Sequence, residues 1–232
     1  MARKKRKAGG HGRILRRWVA RLALGLAGIV VLWVGLYALI APPTTPYMLS
    51  EARRLGAVRH DWVSIDAISP DLARAVVAAE DANFCLHWGF DMGAIRAAIA
   101  EGARRGGSTI SQQVVKNTFL WQGRSWLRKA LEALLTPVVE LVWTKRRILE
   151  VYLNVVEFDE GVFGAEAAAQ WHFGVPASGL SIGQAARLAA VLPDPRDRSA
   201  TDPSPGVLAR TGRIADGSAT IRADGRDACF VR

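Results

Sequence analysis

The sequence predicts a mostly α-helical domain behind a single N-terminal transmembrane helix. From about residue 47 to about residue 197, apolar residues recur every three or four positions, which is the spacing of amphipathic helices. Alternating β-branched runs and Asn-Gly turns are scarce in the same region. Residues 22–41 form an uncharged run of 20 residues. At ~1.5 Å per residue this run is long enough to cross the ~30 Å hydrocarbon core of a bilayer.

Most of the excess positive charge lies ahead of that apolar run. Residues 1–41 hold nine Lys or Arg and no acid, whereas the remainder holds 22 basic and 21 acidic residues. The net charge of +10 therefore belongs to a tail, which argues against nucleic-acid binding. The positive-inside rule then places a basic tail, residues 1–21, in the cytoplasm and the chain after residue 41 across the membrane. Pro42-Pro43 follows the run directly, so we expect an uncleaved anchor.

The rest of the chain is predicted to divide into a linker over 42–58, a helical domain over 59–200 and an irregular tail over 201–232. The linker contains Pro and Thr, and the tail is rich in Asp, Gly, Pro and Arg with weak periodicity. Capping signals and apolar spacing predict helices over 70–80, 91–104, 109–119, 125–134, 137–154, 163–171 and 181–191. Scattered histidines give no metal spacing, and whether Cys85 and Cys229 pair stays open.

The first candidate site is the acid pair Glu80-Asp81, at the predicted C-terminal end of helix 70–80. The helix macrodipole disfavours negative charge at that end. A carboxylate kept there, with His87 and Gly89 soon after it, suggests chemistry. The ordinary alternative is a solvated surface pair, which these residues alone do not exclude.

A second candidate begins at Gly106-Gly107, where two glycines allow a tight turn. Ser108 or Thr109 caps the next helix, whose free backbone N–H groups suit an anion such as a diphosphate. The polar face of that helix carries Gln112, Gln113 and Lys116. The alternative is an ordinary capped helix with exposed polar residues.

A third candidate is Arg128-Lys129 with Glu132, spaced for one helix face. This pattern indicates either a surface ion pair worth ~0.3–0.5 kcal/mol, or a second carboxylate flanked by cations near a charged substrate. The preceding segment, 119–127, is rich in large apolar residues. It either folds into the core or contacts the membrane interface.

Together these stretches resemble the signatures of the peptidoglycan glycosyltransferases, glycosyltransferase family 51. The similar segments, in family order, are Glu80–Gly89, Gly107–Asn117, Arg128–Glu132, Lys145–Asn154, and Gly161–Gly174 with Leu180–Pro193. They cover roughly residues 60–200. With one anchor and no Ser-x-x-Lys box of a transpeptidase domain, the chain is similar to monofunctional members. Gln184 and Trp171-His172 depart from the common pattern, in a signature concerned with packing.

The resemblance implies a lysozyme-like fold and an inverting transferase that joins lipid II to a growing glycan strand through β-1,4 links, releasing undecaprenyl diphosphate. It implies Glu80 as the catalytic base and Glu132 as the second catalytic acid of the family, which either orients the cations or assists departure of the diphosphate. The implied substrate-binding residues are Asp81, His87, Ser108, Gln112, Gln113, Lys116, Arg128, Lys129 and Asn154. No cofactor is expected to be required, although a divalent cation could bridge diphosphate and carboxylate. Expected partners are the membrane and other cell-wall synthesis proteins, with the domain on the periplasmic side of the bacterial inner membrane.

Two other functions remain open from the sequence. A lysozyme-like glycan hydrolase also uses two carboxylates, but it needs no cationic face for a diphosphate. A catalytically inactive envelope scaffold would have no need to retain Glu80, Lys116, Arg128 and Glu132 together.

Overall fold

The computed structural model describes residues 10–100, 107–123 and 125–231, and it divides into two compact units, residues 1–40 and 41–232. The first unit contains helix α1, Gly10–Leu39. Within the described residues, Ile14–Leu39 is the one stretch of helix that is long and apolar enough to span a membrane. The helix begins before the predicted span, so Arg16, Arg17 and Arg21 belong to it. Residues 1–9 of the predicted basic tail lie outside the described residues.

Helices dominate the described part of the second unit, which confirms the predicted fold class. They are α2 (Pro46–Leu55), α3 (Pro70–Glu80), α4 (Met92–Ala100), α5 (Ile110–Phe119), α6 (Trp126–Val142), α7 (Lys145–Val155), α8 (Ala165–Phe173), α9 (Ile182–Val191) and α10 (Pro205–Ala223). A small sheet pairs β1 (Arg59–His60) in parallel with β3 (Val162–Phe163), and β2 (Glu157–Asp159) antiparallel with β3. Residues 101–104 of the predicted helix 91–104 lie outside the described residues.

The core forms around α7, whose apolar residues are buried on almost every side. Ile148, Leu149, Tyr152 and Leu153 are fully buried there. Helix α5 packs against both α6 and α7, and α3 packs against α9 and α10. The regularly spaced apolar residues of each helix are therefore buried against its neighbours. This packing brings the C-terminal end of α3 and the N-terminal half of α5 to the same region of the domain.

The predicted break at Thr136-Pro137 is wrong. Helix α6 continues through Pro137 to Val142, although proline has no N–H to donate within the helix. The chain instead breaks at Trp143-Thr144, because the Thr144 hydroxyl caps α7 by accepting from the backbone N–H of Arg147 at 3.1 Å.

The predicted linker and tail also contain helices. In the linker, Thr45 caps α2 and Pro46 occupies its first position. In the tail, which we expected to be irregular, Ser204 caps α10 and the helix runs for 19 residues. Its buried apolar residues Val207, Ile214 and Ile221 lie seven apart and pack against the domain. This contact supplies the stability that the polar sequence of α10 lacks.

The segment after α10 is attached to the segment after α3. A disulfide joins Cys85 and Cys229, which are 144 residues apart in sequence. Close by, Arg74 donates to Asp227 at 2.7 Å. Phe230 is buried with its ring centroid 6.3 Å from that of Phe84. The end of the chain therefore completes the core beside the first candidate site.

Removing the disulfide with Cys229→Ser should lower the free energy of unfolding by about 2–5 kcal/mol, because the bond restricts a long loop of the unfolded chain. Urea unfolding of the full chain in detergent measures this change. The wild type treated with a reductant should match the variant, and the variant itself should not respond to the reductant. A variant as stable as the oxidised wild type would contradict the expectation.

Candidate active site

Glu80 is the last residue of α3 and lies at the edge of a cleft of about 210 Å³. Its side chain is 14% exposed. Gln113 of α5 donates to its Oε2 at 3.0 Å, and Arg210 of α10 lies 3.4 Å from its Oε1. The same cleft is lined by Asp81, Asn83, Asp91, Gly107, Ser108 and Thr109, among others. The carboxylate is thus held by two other helices and still open to the cleft.

Asp81 is buried and uses both carboxylate oxygens. Oδ1 is 2.8 Å from Nε2 of His87, and Oδ2 accepts from the backbone N–H of Ile110 at 3.0 Å. Nδ1 of His87 is buried and makes no hydrogen bond to the described part of the chain. Both residues were predicted to bind substrate. The contacts in the structure connect the end of α3 to the start of α5, and substrate binding by these two residues stays a prediction.

The N-terminus of α5 does not offer the free anion site that we expected. Thr109 and Gln112 form a capping box, in which Thr109 Oγ1 accepts from the Gln112 N–H at 3.3 Å and Gln112 Oε1 accepts from the Thr109 N–H at 3.1 Å. The Ile110 N–H is taken by Asp81. Three backbone donors at this end, those of Thr109, Ile110 and Gln112, are therefore occupied by side chains, and an anion must rely largely on the nearby cations.

The consecutive glutamines Gln112 and Gln113 donate hydrogen bonds to different acids. Gln112 is buried and donates to Oε1 of Glu132 at 3.2 Å, whereas Gln113 donates to Glu80 and accepts from the Tyr152 hydroxyl at 3.2 Å. Burial, followed by nearby negative charge, raises the pKa of Tyr152 well above its ordinary value, so its hydroxyl stays protonated. We expected Gln112 and Gln113 to share one face of α5. They contact different acids because adjacent residues of a helix point about 100° apart.

Glu132 is 2% exposed and is surrounded by donors. Arg128 donates to its Oε2 at 3.2 Å, and Lys129 pairs with its Oε1. The ammonium of Lys129 also lies 3.3 Å from the Ser108 hydroxyl on the wall of the Glu80 cleft. The third candidate is therefore a buried carboxylate with two cations, and Ser108 brings it next to the first.

Lys116 lies one turn after Gln112 on α5. Its burial lowers its pKa, the negative charge of Glu132 opposes that change, and the cations Arg128 and Lys129 reinforce it. Within the described chain, its ammonium makes no hydrogen bond or ion pair. A partly buried cation without such a partner is suited to receive an anionic group.

Asn154 is not among the residues that line the Glu80 cleft. Its side chain is fully buried, Oδ1 accepts from the Val63 N–H at 3.0 Å, and Nδ2 donates to the carbonyls of Val63 and Glu150 at 2.9 and 2.8 Å. The amide is used in full to fasten the chain near Val63 to α7, and substrate binding by Asn154 stays a prediction.

The apolar segment 119–127 is buried in part and exposed in part. Phe119 and Leu120 are buried, whereas Trp126 is 91% exposed and Leu127 is 65% exposed. Trp126 lines a depression of about 260 Å³ with Ser125, Arg128 and Lys129. An exposed apolar surface therefore adjoins the cations of the site. Residue 124 lies outside the described residues.

Arg210 is the residue that sequence reasoning missed. It comes from the predicted tail, where no motif is present. The signals that could have indicated a helix are the Ser204-Pro205 start and the seven-residue spacing of Val207, Ile214 and Ile221. No cluster of three or more His, Cys, Asp or Glu able to hold a metal occurs in the described ranges. The arrangement can accept a proton at Glu80 and neutralise an anion at Lys116 and Lys129.

Gly89→Ala should destabilise the fold more than Gly174→Ala. Both glycines have positive φ, +84° and +65°. An alanine in this left-handed conformation lowers the free energy of unfolding by about 1–2 kcal/mol at either position. A Cβ at Gly89 would also lie 2.6 Å from Cγ2 of Thr136. A Cβ at Gly174 would have no neighbouring atom within 4 Å. We expect about 1–3 kcal/mol of additional loss at Gly89, from urea unfolding of both variants. Equal losses would show that the packing around Gly89 yields freely.

Comparison with known proteins agrees with this geometry. The transglycosylase family profile matches residues 48–218. Curated relatives named biosynthetic peptidoglycan transglycosylase include that of Jannaschia sp. (strain CCS1), 62% identical over 99% of this chain and 98% of the relative. The Caulobacter vibrioides protein is 47% identical over 95% and 100%, and the Pseudomonas fluorescens protein 52% identical over 84% and 85%. The match covers the residues from α2 to α10 that build the site, and the chain belongs to the transglycosylase family.

Proposed function

We propose that this chain is a peptidoglycan glycosyltransferase that polymerises lipid II into β-1,4-linked glycan strands and releases undecaprenyl diphosphate during cell-wall biosynthesis. Its family membership and the names of its relatives support a transferase acting on peptidoglycan. The observation that carries the proposal is one carboxylate at a cleft, Glu80, beside a group of cations gathered around a second carboxylate, Glu132.

Glu80 acts as the general base. It takes the proton from the 4-hydroxyl of the acceptor N-acetylglucosamine, whose oxygen then attacks the anomeric carbon of the donor N-acetylmuramic acid. The bond to the diphosphate breaks as the β-1,4 bond forms, which inverts the anomeric configuration. Each oxygen of Glu80 has one protein partner, and each therefore keeps a lone pair for the hydroxyl.

The cations neutralise the departing diphosphate. Lys116 is partly buried without an ion pair in the described residues, and Lys129 reaches Ser108 at the cleft wall. Charge-assisted hydrogen bonds from such groups stabilise the negative charge that grows on the leaving oxygen. A hydrolase of finished glycan would gain nothing from these cations, which favours the transferase.

Glu132 orients the cations rather than donating a proton. Its carboxylate accepts from Arg128, Lys129 and Gln112 and is almost fully buried, which supports a role as a fixed anion. Placed between two positive side chains, it reduces their mutual repulsion and sets the direction in which each can donate.

No resident cofactor is needed for this reaction. The base and the positive charge are both supplied by side chains, so a divalent cation, where it contributes, would bind through the diphosphate of the substrate. The contribution of Asp81 and His87 is then to hold the end of α3, with Glu80, against the start of α5. Gln112 holds Glu132 in place.

The protein works at the bacterial inner membrane, with its N-terminus in the cytoplasm and its domain in the periplasm. The apolar stretch Ile14–Leu39 supports anchoring, and the basic residues ahead of it support this orientation. The exposed side chains of Trp126 and Leu127 support contact with the bilayer surface, where the lipid-linked substrate resides. Other cell-wall synthesis proteins are further partners in this role.

Glu80→Gln should lower the rate of lipid II polymerisation by about 10²–10⁴-fold, because the amide cannot accept the proton. The amide oxygen can still accept from Gln113, so folding and donor binding should be retained. The measurement is glycan-strand formation from purified lipid II by the full chain in detergent. Glu160→Gln, which changes an exposed acid in the same way, is the matched control.

Normal polymerisation by Glu80→Gln would remove Glu80 from the role of base. Incubation of the wild type with finished peptidoglycan distinguishes a hydrolase from a polymerase, because a hydrolase releases fragments and a polymerase leaves the material intact. A wild type inactive on both substrates would favour the scaffold.

Lys116→Met should lower kcat/KM by about 10- to 100-fold through loss of a charged contact to the diphosphate. Burial already lowers the pKa of the lysine, so methionine of similar length should fit with little loss of stability. Steady-state polymerisation assays give the ratio. Arg53→Met on the exposed surface of α2 removes one positive charge elsewhere, and it should leave kcat/KM unchanged. An equal effect of both variants would mean that only overall charge matters.

A further inference from the structure

We infer that Arg210 is a positioning residue for Glu80, so that helix α10 takes part in the transfer reaction rather than only in stability. The inference rests on the proposed role of Glu80 as base. It is carried by the juxtaposition of a guanidinium from the C-terminal helix with the carboxylate at the end of α3.

The geometry fixes the carboxylate from two sides. One terminal nitrogen of Arg210 lies 3.4 Å from Oε1 of Glu80 and 3.4 Å from the carbonyl oxygen of Ala79, while Gln113 donates to Oε2 at 3.0 Å. A glutamate at a helix end would otherwise rotate about three side-chain bonds. Partners on both oxygens restrict it to the orientation that faces the cleft, which is what a base requires before substrate arrives.

The position is costly for an arginine. Burial lowers the pKa of Arg210, Glu80 opposes that change, and the positive charges of Arg198 and Arg213 add to the lowering. In addition, Nε of Arg210 is buried without a hydrogen-bond partner in the described residues, which is destabilising. A cation held at such a cost beside a reactive carboxylate is better explained by function than by stability.

The helix that carries Arg210 is packed tightly enough to hold it. Two turns further along α10, a Cβ at Gly217 would lie only 3.3 Å from Cβ of Ala78, so α10 and α3 approach closely on that side. Beyond the helix, the Cys85–Cys229 disulfide and the ion pair between Arg74 and Asp227 fasten the chain to the same part of the domain. Arg210 therefore approaches Glu80 from a rigid element.

The test compares Arg210→Gln and Arg210→Lys with the wild type in lipid II polymerisation. Loss of the guanidinium should leave substrate contacts in place but release Glu80. For Arg210→Gln we expect kcat to fall by about 10- to 100-fold with KM unchanged. Arg210→Lys keeps the charge without the planar geometry and should lose about 3- to 10-fold in kcat. Arg222→Gln, on an exposed position of the same helix, should match the wild type in both constants.

Thermal unfolding of each variant separates positioning from a purely structural role. Wild-type kcat in Arg210→Gln, or equal losses in kcat and KM that follow the loss in melting temperature, would overturn the inference. If Arg210→Gln does not fold, Arg210→Lys decides alone, because wild-type kcat in that variant would also overturn it. A fully active Glu80→Gln would instead reject the proposed base, whereas an inactive Glu80→Gln with a fully active Arg210→Gln would reject only the role of Arg210.

Discussion

A single buried carboxylate, that of Asp81, holds the site together. It follows the last residue of α3, and it accepts one bond from the first backbone N–H of α5 and lies within hydrogen-bond distance of His87. Because the start of α5 is fixed in this way, Gln113 reaches Glu80 one turn later. Loss of the acceptor would leave a buried N–H unsatisfied, at a cost of about 1–3 kcal/mol. The alignment of Glu80 with α5 thus depends on the neighbouring acid, Asp81.

The second carboxylate resolves a different physical problem. Two neighbouring cations repel each other, and a buried anion is costly without partners. Placing Glu132 between Arg128 and Lys129 answers both difficulties, with Gln112 as a neutral donor to the same group. The cations are thereby assembled before any substrate binds.

Local signals in the sequence were enough to predict α3 and α9, because each is bounded by a serine at its N-terminus and by regular apolar spacing. They failed for α10, whose few apolar residues become informative only when α3 and α9 are there to cover them. Likewise, the acids and cations of the site could be recognised from their types and spacing. The sequence does not show which glutamine hydrogen-bonds to which acid, or that Asn154 is buried. Both depend on how helices that are distant in sequence pack.

The disulfide between Cys85 and Cys229 also bears on when the enzyme becomes competent. Glu80 is synthesised early, but the residues that complete its surroundings, from Arg210 to Phe230, are synthesised about 130 to 150 residues later. Such bonds form in oxidising compartments outside the cytoplasm. If the domain is exported as proposed, a chain still crossing the membrane has most of its helix-forming residues outside the cytoplasm but no fastened C-terminal helix. In the proposed periplasmic orientation, covalent closure comes last, and the surroundings of Glu80 are completed only after export.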